Sequence, residues 1–192
     1  MSLRVLIIDN SPARTAILEE ALSDSSYIVV ARLTSSANLI IGVEDLKPDI
    51  IIIGIESPDR DTLECMQHVT RDNPKPIVMF AEQGGNDTIQ SAIRAGVSAY
   101  VIDGLSKNRV KSIMEVAIAR FREFQAMQNE LTEVKNKLAE RRFIEKAKAL
   151  LIEKHRMTEE EAYSALRKMA MNRNQRIAEV ARNVISMLEM SS

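Results

Sequence analysis

The chain has 192 residues, of which 45% are hydrophobic and 28% charged, and this composition favours a soluble globular protein over disordered or membrane classes. Its single cysteine, Cys65, excludes an internal disulfide framework and favours a reducing, cytoplasmic location. The net charge of -1 hides an asymmetry: residues 1–130 hold 13 Lys/Arg and 18 Asp/Glu, whereas residues 131–192 hold 13 and 9. The basic C-terminal part points weakly towards a polyanionic partner.

Five short runs rich in valine and isoleucine alternate with amphipathic stretches of helical length. The run Ile50–Ile55 has almost no polar residue, which is typical of a parallel strand covered on both faces. Ser11 and Pro12 provide a capping side chain and a first-turn proline for the helix that follows the first run. The pattern predicts an α/β fold with a five-stranded, doubly wound parallel sheet. The predicted strands are Leu3–Ile8, Ile28–Leu33, Ile50–Ile55, Ile77–Phe80 and Ala99–Ile102.

Neither proline nor glycine occurs after Gly104, so the rest of the chain is predicted to be helical. Apolar residues recur at alternating steps of four and three, which predicts a coiled-coil helix over residues 106–137 that pairs with a second copy. The alternative is a helix that packs its first part on its own α/β domain. The predicted seam is Val110, Met114, Ala117, Phe121, Phe124, Gln128, Leu131, Lys135 and Leu138.

The tail, residues 138–192, is predicted to contain the end of the long helix and two shorter helices. Thr158 and Glu161 have the spacing of a capping box, which predicts a helix start. The apolar pattern breaks around Asn172–Asn174, and a last helix follows. The result is a small three-helix module. Its predicted core is Leu150, Leu151, Ala162, Leu166, Ala170, Ile177 and Ala181.

Three segments, Leu6–Pro12, Pro48-Asp49 and Ser57-Pro58, resemble a response-regulator receiver domain, and the resemblance covers residues 1–120. In that family an acidic pair after the first strand holds magnesium, an aspartate ending the third strand accepts phosphate, a Ser/Thr ends the fourth strand and a lysine ends the fifth. The corresponding pocket of this chain is degenerate. Its residues are Asp9 and Asn10 at the acidic pair, Gly54 at the acceptor position, Ala81 at the Ser/Thr position and Asp103 at the lysine position.

Glycine has no side chain, so aspartyl phosphate cannot form at Gly54, and a hard cation has lost its central carboxylate ligand. Glu56 lies two residues beyond Gly54. It is not favoured as a substitute phosphate acceptor, because a reacting group must be correctly positioned before its chemistry matters. We therefore expect no catalytic residue, phosphorylation site, metal or cofactor. The domain is predicted to be controlled by a protein that binds it.

Residues 138–192 resemble the ANTAR domain, the RNA-binding module of transcription antitermination regulators. A pseudo-receiver, a long helix and this tail, in that order, resemble the AmiR/NasT family, and segment Ser98–Leu105 is nearer the nitrate/nitrite-assimilation type. Gly54 departs even from that subgroup. The residues that carry the ANTAR resemblance are Ile144, Ala147-Lys148, Leu150-Leu151, Glu161-Ala162, Leu166-Arg167, Ala170-Met171, Ile177 and Val180-Ala181.

The resemblance implies a cytoplasmic, homodimeric regulator that is not an enzyme. It implies binding to a two-hairpin leader transcript, which prevents a terminator from forming, and control by a ligand-sensing protein such as a nitrate/nitrite sensor. Basic side chains suit RNA phosphates. The alternative is a DNA-binding transcription factor of response-regulator type, in which the short helices mimic a helix-turn-helix. The candidate RNA contacts are Arg142, Lys146, Lys148, Arg167, Lys168, Arg173 and Arg176.

Overall fold

The computed structural model of the chain describes residues 2–23, 26–35 and 38–190. It contains two compact units, Met1–Gln125 and Ala126–Ser192. The first unit is α/β and the second is entirely helical in its described part. None of the helices in these ranges is long and apolar enough to span a membrane.

A five-stranded parallel sheet with the strand order β2-β1-β3-β4-β5 forms the centre of the first unit, which confirms the predicted fold class. Every predicted strand is present to within one residue at either end. The strands are β1 Leu3–Asp9, β2 Tyr27–Leu33, β3 Ile50–Ile55, β4 Ile77–Ala81 and β5 Ala99–Ile102. The helices that begin in this unit are α1 Pro12–Ser23, α2 Leu39–Leu46, α3 Arg60–Asp72, α4 Asn86–Arg94 and α5 Lys107–His155.

Two apolar layers cover the two faces of this sheet. Ile51 and Ile53 of β3 face the layer that contains side chains of α2, α3 and α4. Ile50 and Ile52 face the opposite layer, which contains side chains of α1 and α5. Both faces of the central strand are therefore buried, and this explains why its sequence lacks the alternation of polar and apolar residues.

Helix α5 is 49 residues long, and its first part belongs to the core of its own unit. Val110, Met114 and Ala117 are fully buried against the sheet. These three positions of the predicted pairing seam are therefore wrong as pairing positions, and the alternative interpretation holds for this part of the helix. The remaining apolar positions behave differently, because Phe124 and Leu131 are 54% and 47% exposed.

The second unit consists of the end of α5 with α6 (Glu159–Arg173) and α7 (Ile177–Met190). The predicted capping box is confirmed, because Thr158 and Glu161 each bond the other's backbone N–H. The C-cap of α6 is Asn174, whose φ of 50° is left-handed, as is common where a helix stops. The predicted module core is also confirmed: five of its residues are buried, and Leu150 and Ile177 pack against them partly buried.

Candidate nucleic-acid interface and receiver pocket

The predicted receiver pocket lies at the carboxyl ends of the central strands. Asp9, the last residue of β1, pairs in register with Gly54 of β3. Ala81 ends β4, and Asp103 follows β5; these two residues line a small cavity of about 160 Å³ together with Arg14 and Glu82. Parallel strands end at one edge of a sheet, so the fold brings the predicted pocket residues together.

Arg14, on the first turn of α1, extends its guanidinium into this edge. Its Nε lies 3.0 Å from Asp9 Oδ2 and its Nη2 lies 3.0 Å from Asp9 Oδ1, so the two groups form a bidentate pair. Nη2 also donates to Asn10 Oδ1 at 3.3 Å, and Nη1 donates to Glu82 Oε1. The backbone N–H of Ser11 completes the coordination of Asp9 Oδ1 at 2.7 Å.

The charge of Arg14 is held in place by these partners. The hydrogen bond to Asp9 is the largest effect and raises the pKa of Arg14 above its ordinary value; burial opposes it, and attraction to Asp9, Glu82 and Glu56 adds to it. A guanidinium thus pairs with Asp9 and Asn10, the two residues at the acidic-pair positions of the receiver resemblance. Within the described ranges no group of three or more His, Cys, Asp or Glu side chains could hold a metal.

The carboxylate of Asp9 also fills the space next to Gly54. A Cβ built on Gly54 lies 1.8 Å from Asp9 Oδ2 and 2.5 Å from Asp9 Cγ, far inside contact distance. Any side chain at Gly54 must therefore displace a carboxylate that has no solvent exposure of its own. Sequence reasoning found the missing acceptor at Gly54 but missed Arg14, whose only signal is its place on the helix directly after Asp9.

Four of the seven predicted RNA contacts are exposed cations without an ion-pair partner in the part of the chain that the structure describes. Arg167 and Lys168 lie on α6, one turn and a half before its end. A free cation on a helix surface is available to a phosphate group. The four residues are Arg142, Arg167, Lys168 and Arg173.

The other three predicted contacts are engaged by carboxylates. Lys148 is only 8% exposed, and its Nζ lies 2.9 Å from Glu145 and 2.8 Å from Glu159, which raise its pKa. Lys146 pairs with Glu189 at 2.6 Å. Arg176 lies 3.6 Å from Glu140. We assign Lys148 a structural role, because it ties α5 to the first turn of α6; Lys146 and Arg176 remain exposed enough to exchange partners.

A cavity of about 550 Å³ opens at the turn between α6 and α7. Arg167 and Arg176 line it, as do the side chains of Asn174 and Gln175, for which no protein hydrogen bond is found in the described ranges. A binding role for these two amides was not predicted from the sequence, because an amide side chain at the end of a helix ordinarily indicates only that the helix stops there. The turn therefore presents cationic and amide groups side by side, together with the carboxylate of Glu140.

A doubly wound sheet with a degenerate acidic edge and a C-terminal helical module defines a receiver-type regulatory protein. Residues 5–115 match the response regulator receiver domain, and residues 132–185 match the ANTAR domain. The chain therefore belongs to the response regulators that carry an ANTAR domain, which confirms the family resemblance.

The relatives agree with this assignment. The chain is 30% identical to the transcriptional regulatory protein PdtaR of Mycobacterium tuberculosis, over 96% of this chain and 90% of that protein. It is 38% identical over 84 residues to the nitrate regulatory protein of Klebsiella oxytoca, which covers 44% of this chain and 21% of that protein. The signal receiver domain of a diguanylate cyclase from Desulfovibrio desulfuricans aligns with a TM-score of 0.56 and 21% identity, over 64% of this chain and 98% of that domain. This last similarity shows the fold alone.

Proposed function

We propose that the chain is a cytoplasmic transcription antitermination regulator that binds a two-hairpin leader RNA and prevents a terminator from forming. The observation that carries the proposal is the ANTAR-matched unit, whose α6 presents Arg167 and Lys168 without carboxylate partners among the described residues. RNA hairpins are recognised mainly through phosphates, riboses and loop bases. The cavity beside Arg167, with the amides of Asn174 and Gln175, supplies polar groups of the kind that such contacts need.

A binding comparison tests this proposal. We expect the full chain to bind a two-hairpin leader RNA more tightly than duplex DNA of the same sequence. If about five phosphates are contacted, affinity falls with salt at a log–log slope of about 3 to 5. The double variant Arg167→Ala/Lys168→Ala loses affinity. The matched control, Lys111→Ala/Arg122→Ala, removes two exposed cations of the receiver unit and leaves affinity unchanged.

Equal affinity for RNA and DNA contradicts the proposal and favours the second candidate, a DNA-binding transcription factor of response-regulator type. An unchanged affinity in Arg167→Ala/Lys168→Ala contradicts the assignment of the interface.

We propose further that a ligand-sensing protein, and not phosphorylation, controls the receiver unit. Gly54 offers no acceptor side chain, Arg14 pairs with Asp9, and the Asp9 carboxylate fills the space next to Gly54. The similarity to a nitrate regulatory protein supports a nitrate or nitrite sensor as the partner. Incubation with a small phosphodonor followed by intact-mass measurement is expected to show no phosphate adduct; a stoichiometric adduct contradicts this proposal.

The exposed part of α5 supports a homodimer. Five half-exposed apolar side chains follow the heptad spacing. Their register differs from that of the predicted seam, since it uses Met127 and Val134 where the predicted seam has Gln128 and Lys135. In a parallel, in-register pair this register places Glu130 of one copy opposite Lys135 of the other; neither has an ion-pair partner within the described chain. The stripe is Phe124, Met127, Leu131, Val134 and Leu138, with exposures of 54%, 57%, 47%, 56% and 53%.

Sedimentation equilibrium tests the proposed register. We expect Glu130→Lys to weaken the dimer about threefold, because two symmetric pairs become repulsive, and Glu130→Lys/Lys135→Glu to restore it. A weakened dimer in the double variant contradicts the parallel register, and a monomer at all concentrations contradicts the dimer.

A further inference from the structure

The N-terminal unit has a second concave site, at the end of the sheet opposite the Asp9 pocket. The cleft measures about 490 Å³, within the size range of ligand and side-chain pockets. Its walls come from the end of α4, the loop that enters β5, and the part of α5 nearest the unit boundary. The residues that matter are Ile93, Arg94, Val97, Arg120, Phe121 and Phe124.

The polar groups on the floor of this cleft are already satisfied. Thr70 Oγ1 donates to the carbonyl oxygen of Ala95 at 3.1 Å, and Ser98 Oγ accepts from the Ile77 N–H at 3.3 Å. Gly96 has a φ of 98°, and a Cβ there lies 2.3 Å from Thr70 Oγ1, so the floor is tightly packed. The chemistry that the cleft offers to an occupant is therefore its apolar walls, its arginines and the side-chain amide of Gln125.

The two arginines of this cleft have no counter-ion among the described residues. Arg94 on α4 and Arg120 on α5 are both exposed, and neither pairs with a carboxylate in the described part of the chain. Arginine keeps its charge at every physiological pH, and its guanidinium matches a carboxylate in a two-pronged geometry. An occupant that bears carboxylates complements this charge.

We propose that the cleft is the docking site of an acidic, apolar segment of a partner protein, and this rests on the proposed control by a binding protein. Ile93 and Phe124 are 49% and 54% exposed, so the cleft is open on one side and accommodates a chain that crosses it. Aromatic residues and arginine are the residue types enriched in the centres of protein interfaces. The segment inserts apolar side chains between Phe121 and Phe124 and places its carboxylates on Arg94 and Arg120.

Docking at this cleft has a consequence for the homodimer. Phe124 is both a wall of the cleft and the first position of the exposed stripe on α5. One side chain cannot be covered by a docked segment and by a second α5 at the same time. Occupancy of the cleft therefore competes with helix pairing at Phe124, which gives a partner protein a way to act on the dimer without any phosphate.

The test uses the full chain, isotope-labelled at methyl groups, and two capped peptides, acetyl-Leu-Leu-Glu-Glu-Leu-Leu-amide and its Lys-Lys counterpart. We expect the glutamate peptide to shift the resonances of Ile93 and Val97 and to bind about tenfold more tightly than the lysine peptide. The double variant Arg94→Glu/Arg120→Glu reverses this preference. Both arginines are exposed, so circular dichroism is expected to show a folded variant; Arg94→Gln/Arg120→Gln, which loses the preference without reversing it, is the second variant.

Each other outcome overturns the proposal. The docking site is contradicted if the two peptides bind equally well, if only other methyl groups shift, or if no resonance shifts at millimolar peptide. Binding of octanoate without binding of the glutamate peptide means that the cleft takes a small acid. A dimer that Arg94→Glu/Arg120→Glu abolishes without peptide means that a second copy fills the cleft.

RNA binding and peptide binding, both measured on the wild-type chain, separate this inference from the proposed function. If the wild-type chain binds the glutamate peptide but no RNA, the docking site is supported and the proposed antiterminator function is contradicted. If it binds RNA but neither peptide, the proposed function is supported and the docking site is contradicted. A dimer that the glutamate peptide leaves intact overturns the competition at Phe124.

Discussion

The guanidinium of Arg14 in the N-terminal unit is enclosed by Asp9, Asn10 and Glu82. In the C-terminal unit, by contrast, Arg167 and Lys168 are exposed and have no carboxylate partner in the part of the chain that the structure describes. The same type of side chain therefore neutralises a pocket in one unit and presents charge in the other. The difference lies in the neighbouring carboxylates, not in the number of cations. An exposed basic residue that its own fold leaves unpaired is therefore a stronger candidate contact for RNA than one that is already paired.

The largest effect is expected from restoring a carboxylate at the acceptor position. In Gly54→Asp the new Cβ overlaps Asp9 Oδ2, and a second carboxylate is placed beside one that is buried. Overpacking and like-charge repulsion together are expected to lower the free energy of unfolding by about 3 kcal/mol. Urea denaturation of the full chain, followed at the receiver unit by methyl resonances, measures the loss.

Gly85→Asp is the matched control for this substitution. A Cβ on Gly85 meets nothing within 4 Å, and Gly85 is the N-cap of α4, where aspartate is favoured. The control is expected to keep or slightly increase stability. If Gly54→Asp proves as stable as the wild type, Asp9 is not fixed where the pair with Arg14 places it.

The next largest effect is expected from Arg14→Met, which leaves the Ser11 N–H as the one hydrogen-bond donor to the Asp9 carboxylate among the described residues. Removing one partner of a buried ion pair strongly destabilises a fold, because the other charge stays buried without compensation. Because the Arg14 side chain is itself 17% exposed, we expect the free energy of unfolding to fall by about 2 kcal/mol. Arg60→Met, which removes an exposed pair with Glu64, is expected to cause no measurable change. Equal stabilities of the two variants in urea contradict the enclosed role of Arg14.

The strands and the module core were predictable from the sequence because both depend on local patterns. Apolar runs identified β3, and helical spacing identified Leu166 and Ala170 as core. The pairs Arg14–Asp9 and Lys148–Glu159 were not predictable, since the second joins residues of different helices and the first depends on how a side chain folds back over a strand end.

The proposed pairing register of α5 was likewise not predictable from sequence spacing alone. Heptad spacing alone allows Gln128 or Met127, and Lys135 or Val134, as neighbouring choices. Only the burial of Val110 and Met114 against the sheet fixes which face of the helix is already used. Spacing therefore predicted a helix with an apolar face, and packing decided where that face becomes available.

A smaller effect separates free from engaged cations within the ANTAR-matched unit. Lys168→Met is expected to weaken RNA binding about fivefold and to reduce the salt slope by about one, because one phosphate contact is lost. Lys148→Met is expected to leave the salt slope unchanged and to lower the stability of the unit, because Glu145 and Glu159 lose their shared partner. Fluorescence anisotropy at several salt concentrations, with urea denaturation, measures both. A lower salt slope in Lys148→Met shows that Lys148 leaves its carboxylates to bind RNA.

The smallest effect concerns Glu161 at the start of α6, where Oε2 accepts from the Thr158 N–H at 2.8 Å. This bond to the backbone lowers the pKa of Glu161 below its ordinary value of 4.5. The unfolded chain therefore binds the proton more readily, so the stabilisation is complete above that ordinary value and is lost as pH falls through the lowered pKa. Glu161→Ala is expected to be less stable than the wild type at neutral pH, and the difference narrows on acidification. Glu160→Ala is the matched control, because it removes a carboxylate of the same turn for which no hydrogen-bond or ion-pair partner is found in the described chain. Urea denaturation at neutral and acidic pH measures the free energy of unfolding of both chains. If the difference between wild type and Glu161→Ala stays constant as pH falls, the charge of the Glu161 carboxylate does not stabilise the cap.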